Sequence, residues 1–449
     1  MVIVDSIEKF EKVKDELSES DVIIIPIFMS TFFHPINNRV SLLYIFDINT
    51  NKRYILPIDH PDIKLPLQLK SSDFTYNSCY VLNKWELSYH LDVKSSTDIS
   101  FINYLHNGKV LELNDNEGFD FYNYYFASRS DVAKIVPITK HIEYCDSIID
   151  KIKSVPKFDN FTYKFYDEAI CLFSEIEKNG MCVDVNRFKA KYNSKMLEGN
   201  IVHTKYNLLT AAGRPSNRFG GINFAALNKD DGTREMFISR FKNGKLLEFD
   251  YDAYHLRLIA DLIGYDFPDS SIHEHLGKQY FKKDSLTKEE YDLSKKISFK
   301  ALYGFIPKEY KSIRFFQGIE IFIKELWKGF NSDGFVESQI SKRKFSKEYF
   351  NELNATKLFN YYIQFYETEK NILVMKELLS FLKEKKTKLI KYLYDAFIFD
   401  LHPDEQNIVD DLQKIISKGG FPARAKIGDN YHSLRYLYNT EEIHNEQHN

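Results

Sequence analysis

The N-terminal part of the chain, as far as about residue 110, alternates short apolar runs with turn signals. The runs are DVIIIPIF, VSLLYIFDI, KRYILPI and SCYVLN. This spacing predicts a small β-rich sheet flanked by helices. A helical stretch from about Glu143 to Pro156 would close the domain, and Pro156 with the residues KFDNFTY indicates a linker.

Helical periodicity becomes prominent after the linker. The stretch YDEAICLFSEIEKNGMCVDVNRFKAKYNSKML predicts two helices, with Gly180 at the position that a helix C-terminus favours. Further on, GKLLEFDY predicts a strand that ends in Asp250. The next segment, AYHLRLIADLIG, predicts a helix that stops at Gly264.

A second aspartate lies inside an apolar hairpin. Residues 388–401 predict two strands whose tight turn contains Asp395 and Ala396. Asp250 and Asp395 each end an apolar strand, so they are candidates to meet. Paired carboxylates can hold the divalent ions that phosphoryl transfer to a hydroxyl requires. The alternative interpretation is that the two aspartates are separate turn residues.

The segment KEEYDLSKKISFKALYGF spaces four residues along one helix face, namely Tyr291, Lys295, Phe299 and Tyr303. An ammonium beside aromatic rings can bind a triphosphate and stack on a base or a sugar. The alternative is an amphipathic helix with a solvated lysine edge and an aromatic stripe in the core.

Composition limits the remaining possibilities. With 449 residues and 43% hydrophobic content, the chain is expected to form two or three domains. The balance of 61 basic and 64 acidic side chains means that any nucleic-acid surface must be local. The four cysteines have no paired spacing, which argues against a zinc ribbon. The longest apolar run is too short to span a bilayer, so we expect a cytoplasmic protein without a membrane partner.

In their order and spacing, these segments resemble the family A DNA polymerases, the group of bacterial DNA polymerase I and its phage and mitochondrial relatives. LLEFDYDAYHLRLIADLIG resembles motif A, KKISFKALYGF resembles motif B, and LYDAFIF resembles motif C. Further matching segments follow the family's order: SEIEKNGMCVD, AGRPSNRFGGINFAAL, SSIHEHLGKQYF, FNYYIQFYETE and FPARAKIGDNYHSL. The resemblance covers roughly residues 170–438.

The resemblance implies a mixed α/β (α+β) protein with the right-hand polymerase fold. Residues 1–156 would form a degenerate 3′-5′ exonuclease-like α/β domain, and residues 157–449 would form the polymerase domain. The expected parts of the latter are a reduced thumb at about 165–212, a palm at about 213–280 and 346–440, and fingers at about 281–345. The thumb is expected to be reduced because Gly180 and Gly213 are only 33 positions apart.

The resemblance also implies the role of each site residue. Asp250 and Asp395, with the main-chain carbonyl of Tyr251, would hold two Mg²⁺ ions, and Lys295 would protonate the leaving pyrophosphate. The expected nucleotide-binding residues are His255, His273, Lys288, Phe299 and Tyr303. The expected DNA-binding residues, which would contact phosphates and minor-groove edges, are Arg214, Asn223, Asn360 and Gln364.

The chain departs from the family pattern at several of these positions. In motif C, Tyr394 and Ala396 replace His and Glu, so Asp395 loses an acidic neighbour. In motif A, His255 replaces the Glu that crowds the ribose 2′-hydroxyl, and an imidazole could still act as this gate. Tyr291 replaces an Arg that grips the triphosphate, and Lys288 is expected to supply the missing cation.

The N-terminal domain departs further from the family. Pro26, Ile27 and Phe28 occupy the strand that would carry the first acidic exonuclease motif. Glu86 and Asp146 are either remnants of later acidic motifs or solvated surface residues. Since a two-metal nuclease needs the first acidic pair, we expect no proofreading.

The resulting hypothesis is a template-directed DNA polymerase that extends primer-template DNA with dNTPs for a phage or another small genome. A reduced thumb implies a weak grip on DNA, which a processivity or replisome partner would compensate. One alternative is a non-catalytic accessory protein that binds primer-template. The other is a nucleotidyltransferase that uses ribonucleotides.

Overall fold

A computed structural model describes the chain at residues 1–29, 34–63, 75–93, 95–113, 136–155, 161–268, 271–303, 306–350 and 352–437. Its internal contacts divide the chain into two compact units. Unit 1 comprises Met1–Lys178, Lys189–Lys205 and Phe219–Ile222, and unit 2 comprises Asn179–Phe188, Tyr206–Arg218 and Asn223–Asn449. The linker expected at Pro156 lies outside the described residues.

Unit 1 contains a six-stranded mixed sheet with the order β1-β4-β3-β2-β5-β6. The strands are β1 (Val2–Ile3), β2 (Asp21–Phe28), β3 (Val40–Asp47), β4 (Arg53–Pro57), β5 (Ser78–Val81) and β6 (Thr97–Asp98). β2 pairs antiparallel with β3 and parallel with β5, and both β2 and β3 are almost entirely buried. The predicted β-rich sheet is therefore confirmed.

The α-helices that the structure describes in this region are α1 (Ile7–Leu17), α2 (Lys84–Leu87), α3 (Ile99–Asn107), α4 (Ile138–Ser154) and α5 (Phe161–Asn179). The apolar face of α1, with Phe10, Val13 and Leu17, packs in one core with residues of β2, β3 and β4. The helix predicted to start near Glu143 begins earlier, at Ile138, because its buried apolar positions extend back to that residue.

Short elements follow: β7 (Met181–Cys182), α6 (Val185–Lys191), β8 (Leu197–Glu198), β9 (Ile201–Val202), β10 (Tyr206–Asn207), β11 (Ser216–Phe219) and β12 (Ile222–Asn223). The two helices predicted on either side of Gly180 are confirmed as α5 and α6. Gly180 has φ +56°, the left-handed conformation that glycine adopts at low cost after a helix end.

Unit 2 contains a five-stranded antiparallel sheet with the order β16-β17-β13-β18-β19. Its strands are β13 (Lys245–Tyr251), β16 (Lys388–Leu393), β17 (Ala396–Leu401), β18 (Ala423–Gly428) and β19 (Arg435–Tyr436). A separate hairpin is formed by β14 (Phe335–Glu337) and β15 (Lys344–Ser346). β13 is central in the larger sheet and runs as the strand predicted from GKLLEFDY.

Six further α-helices lie in the described part of unit 2: α7 (Tyr254–Ile263), α8 (Ile272–Phe281), α9 (Lys288–Tyr303), α10 (Arg314–Asp333), α11 (Ala355–Leu382) and α12 (Val409–Ile416). One apolar core joins α7, α8, α9, α10 and α11. Gly264, in the left-handed conformation, ends α7 as predicted. None of the described helices is long and apolar enough to cross a membrane.

The predicted hairpin at 388–401 is confirmed, but its turn lies one residue earlier than expected. Leu393 pairs with Ala396, so Tyr394 and Asp395 form the turn and Ala396 begins β17. Tyr394 has φ +51°, which is unusual for a residue with a side chain. Such conformations persist only where the surroundings hold them.

Candidate active site

The two aspartates singled out in the sequence come together at one end of the central sheet. Asp250 on β13 pairs directly with Ala396, and the main-chain N–H of Tyr251 donates a 2.9 Å hydrogen bond to the carbonyl of Asp395. Asp250 and Asp395 also line the same cavity of about 460 Å³. The strand pairing therefore places both carboxylates in one site.

Asp395 lies at the turn with part of its surface exposed to solvent, while its carboxyl group is surrounded by atoms of neighbouring residues. Burial, then the charges of Asp250 and Glu367, raise the pKa of Asp395 to about 6. Asp250 is 40% exposed at its side chain. Two carboxylates in one partly enclosed cavity repel each other, so the site favours a bound cation.

Lys426 supplies such a cation from the neighbouring strand β18. Its ammonium donates hydrogen bonds to Glu248 (2.9 Å) and Asp250 (3.0 Å). Burial alone would lower the pKa of Lys426, but the two carboxylates raise it above its ordinary value. The contact between the Lys426 ammonium and Asp250 shows that the site accommodates a positive charge beside this carboxylate.

The donor set suits magnesium, since hard oxygen ligands are those that Mg²⁺ prefers. Among the described residues, no cluster of three or more His, Cys, Asp or Glu side chains could hold a metal ion. A metal would therefore rest on Asp250 and Asp395, supplemented by main-chain oxygen such as the carbonyl of Tyr251. The Tyr251 ring itself is buried and stacks on Tyr254.

The residues expected to bind the nucleotide include a cluster formed by α8 and α9. The ring of His273 lies 6.1 Å from that of Phe299 and 6.3 Å from that of Tyr291. The ammonium of Lys295 lies 4.4 Å from the centre of the Tyr291 ring. Phe299 is 50% exposed, so the alternative of an aromatic stripe in the core is wrong for this residue.

His273 is buried, and its Nδ1 has no hydrogen-bond partner among the described residues. Burial lowers the pKa of His273 to about 4, and although Asp252 acts in the opposite direction, three cations lower it further. They are Lys295, Arg424 and Arg257. A neutral imidazole among cations can offer hydrogen bonds to an anionic group without adding charge.

The remaining expected nucleotide-binding residues are placed differently. His255 lies on α7, bonded through Nε2 to Glu367 at 2.9 Å. Lys288 is exposed at the first turn of α9. Tyr303 ends that helix, and its side chain lies outside the described residues.

The expected DNA-binding residues fall on two segments of unit 2. Arg214 forms an ion pair with Glu367, and its guanidinium lies 3.6 Å from the centre of the Tyr394 ring. The Oδ1 atom of Asn223 is buried and accepts no hydrogen bond within the part of the chain that the structure describes. Asn360 and Gln364 are half-buried one turn apart on α11.

Sequence reasoning missed several charged residues that contact this site. Arg424 and Lys426 lie on one face of β18, where Arg424 pairs with Asp252 (2.6 Å) and Lys426 with Asp250. Their alternation with alanine in ARAKIG is the signal that could have placed two cations on one strand face. Glu367 was also missed, although a carboxylate in the apolar part of a long helix is unusual.

Comparison with known proteins tests the predicted architecture. No protein-family model matches the chain. No curated protein matches it either. Among solved structures, it is similar to the POL domain of Pol1 from M. smegmatis in complex with DNA primer-template and dNTP, with a TM-score of 0.67 and 12% identity. The match covers 97% of this chain and 100% of that one. At this identity the likeness establishes the fold, so the predicted polymerase-domain architecture and mixed α/β class are confirmed.

The raised pKa of Asp395 predicts a pH-dependent effect of Asp395→Asn. A carboxyl whose pKa rises on folding stabilises the fold below its unfolded pKa of 3.8, and that contribution is lost as the pH rises through about 6. At pH 8 the ionised carboxylate therefore lowers the stability of the fold, by less than its pKa shift alone implies because Asp395 is partly exposed to solvent, and the amide removes that charge. Calorimetric melting in metal-free buffer should show a higher melting temperature for Asp395→Asn at pH 8 and a much smaller gain at pH 4.5. Equal gains in melting temperature at pH 4.5 and pH 8 would contradict this prediction.

Lys426→Met tests the ammonium on Asp250. Loss of that charge leaves Glu248 and Asp250 uncompensated, so Mn²⁺ should bind the nucleic-acid-free protein about tenfold more tightly, as measured by titration calorimetry. Lys245→Met is the matched control, because Lys245 lies on the same sheet but pairs with Asp429. Unchanged or weaker binding in Lys426→Met would rule out competition between Lys426 and a metal.

Proposed function

We propose that the protein is a template-directed DNA polymerase that extends a primer 3′-hydroxyl with dNTPs. The observation that carries this proposal is the meeting of Asp250 and Asp395 in one cavity at the end of β13 and the β16–β17 turn. The fold shared with a polymerase domain described with primer-template and dNTP supports it.

In the proposed reaction the primer 3′-hydroxyl gives its proton to water and its oxygen attacks the α-phosphorus of a dNTP. The bond from that phosphorus to the oxygen that bridges it to the β-phosphate breaks, which releases pyrophosphate. Asp250 and Asp395 would hold two Mg²⁺ ions. Such ions, when bound, activate the hydroxyl and neutralise charge on the phosphates. Lys295 would hold the leaving phosphates and return a proton to them.

The α8–α9 cluster fits the incoming nucleotide. Phe299 offers an exposed ring on which a deoxyribose can pack, beside the neutral imidazole of His273. Lys295 lies on the same helix face, and Arg257 and Arg424 add positive charge near His273. Lys288, exposed in the first turn of α9, would add a further cation at the triphosphate end.

We also propose that unit 1 carries no proofreading activity. β2 holds Pro26, Ile27 and Phe28 where the first acidic motif of an exonuclease would lie. The later acidic candidates already have partners in unit 1. Glu86 pairs with Lys205, and Asp146 accepts a 2.6 Å hydrogen bond from Tyr44.

The finer biological setting follows from the family resemblance. We propose a reduced thumb within residues 165–212, weak retention of DNA, and a processivity or replisome partner. A phage or another small genome replicated in the cytoplasm is the proposed context.

A non-catalytic primer-template-binding protein is the second candidate. Ala396 leaves the turn without the family's second acidic residue, and Lys426 already bonds Asp250. Both features favour a protein that retains the fold but not the chemistry.

Primer extension with Mg²⁺ and either dNTPs or rNTPs separates these candidates. The wild-type chain should extend with dNTPs, whereas Asp250→Asn and Asp395→Asn should give only assay background, because each lacks a metal-binding charge. All three proteins should still bind primer-template in an anisotropy assay. A wild-type chain that binds but never extends would identify the accessory protein, and extension with rNTPs alone would identify a ribonucleotide-using enzyme.

Lys295→Ala should lower kcat for dNTP incorporation by about a hundredfold, the usual contribution of a general acid. Lys296→Ala is the matched control, because Lys296 is the next residue of α9 and is exposed. Single-turnover kinetics should show a much smaller change for the control. Equal kcat values for the two variants would remove Lys295 from the proposed chemistry.

A further inference from the structure

Helix α11 carries a polar stripe at four positions spaced by three or four residues: Asn360, Gln364, Glu367 and Asn371. This spacing places them along one helix face. Glu367 and Asn371 are fully buried in the middle of the helix. A buried carboxylate such as that of Glu367 lowers the stability of the fold unless charged partners compensate it.

Glu367 joins two residues of the candidate site on one carboxylate. Its Oε1 lies 2.9 Å from Nε2 of His255, and its Oε2 lies 2.9 Å from Nε of Arg214. The second contact is an ion pair without the alignment of a hydrogen bond. Because a carboxylate only accepts, Nε2 of His255 must carry the proton.

The contact with Glu367 restricts the imidazole. His255 is the residue that stands at the ribose-gating position of motif A, and its side chain is only 12% exposed. A steric gate excludes a 2′-hydroxyl only while its side chain cannot move aside. A short hydrogen bond to a carboxylate on a rigid buried helix provides that restraint.

Arg214 extends the same restraint to the catalytic turn. Its guanidinium stacks on Tyr394, which directly precedes Asp395 and has the left-handed φ of +51°. From α11, Asn371 donates a 2.6 Å hydrogen bond to the carbonyl of Tyr394. Glu367 thus connects the sugar gate on α7 with the residues that hold the turn.

We propose that Glu367 is a positioning residue for sugar selection, which holds His255 as a rigid gate and couples it, through Arg214, to the Asp395 turn. This inference rests on the proposed polymerase function. In this role the Glu367 carboxylate acts on the nucleotide only through the side chains of His255 and Arg214.

The test compares the wild type with Glu367→Gln, which preserves the shape of the side chain but not its charge. A dideoxy-terminated primer-template prevents chemistry, and a fluorescent template base reports the Kd of the matched dNTP and rNTP in the ternary complex. The ratio of the two Kd values should fall about tenfold in Glu367→Gln, because a bond to a charged partner is lost. In parallel extension assays, KM for the rNTP should fall more than kcat changes.

Glu369→Gln is the matched control. Glu369 lies two residues further along α11 and is equally buried, but its carboxylate accepts hydrogen bonds from Ser338 and Ser341. Its replacement should lower the melting temperature while leaving the Kd ratio at the wild-type value.

Three results would overturn the inference. A wild type that discriminates, with an unchanged ratio in Glu367→Gln, would show that Glu367 has a purely structural role. An equal fall in Glu369→Gln would attribute the effect to loss of any buried charge on α11. A wild type that binds neither nucleotide would refute the proposed function itself, and this inference with it.

Discussion

The register of β13 against β17 and β18 is the constraint on which the site depends. Successive side chains of a strand point to opposite faces, so a shift of one residue would turn every side chain of β13 over. In the observed register, Asp250 pairs with Ala396 on one side and with Arg424 on the other. Phe249, between the two acidic positions 248 and 250, is fully buried, and its ring packs against Phe399. Burial of the apolar face fixes the register, and the register places the carboxylates.

The concentration of carboxylates at this sheet end creates an electrostatic cost that neighbouring elements offset. β18 brings Lys426 to Asp250 and Glu248, and it brings Arg424 to Asp252. Glu248, Asp250 and Asp252 each contact a cation of β18 in this way. A phosphate-bearing ligand would compete with these aspartates for the same cations, while a divalent ion would compete with Lys426 for the carboxylates. If a phosphate-bearing ligand and a divalent ion bound together, the phosphate would take up the cations that leave the aspartates, and the divalent ion would take up the carboxylates. The net charge of the site would then change little, so the two ligands would bind more favourably together than separately.

Local pattern was sufficient to predict the elements that carry the main candidates. The apolar run before Asp250, the helix ended by Gly264 and the hairpin around Asp395 are each specified within about fifteen residues by periodicity and turn chemistry. The turn was misplaced by one residue because Tyr394 adopts a conformation that sequence rules assign to glycine. The ion pairs that Lys426 and Glu367 form could not be predicted. Each residue meets its partner across more than 100 positions of sequence, through strand register or helix packing that no local pattern contains.

The unusual turn shows why such distant contacts matter. A tyrosine in the left-handed conformation costs free energy that a glycine would largely avoid. Glycine, however, would give Arg214 no ring to stack on, and the ion pair of Arg214 with Glu367 would lose its second support. Asn371 holds the carbonyl of Tyr394, and its Oδ1 accepts a 2.9 Å hydrogen bond from Tyr254 on α7. The 28-residue helix α11 therefore holds the turn together with the stacking of Arg214 on Tyr394 and the main-chain hydrogen bond from Tyr251 to Asp395. Since Asp395 is the next residue, the contacts that balance the strain at Tyr394 also fix the position of the Asp395 carboxylate.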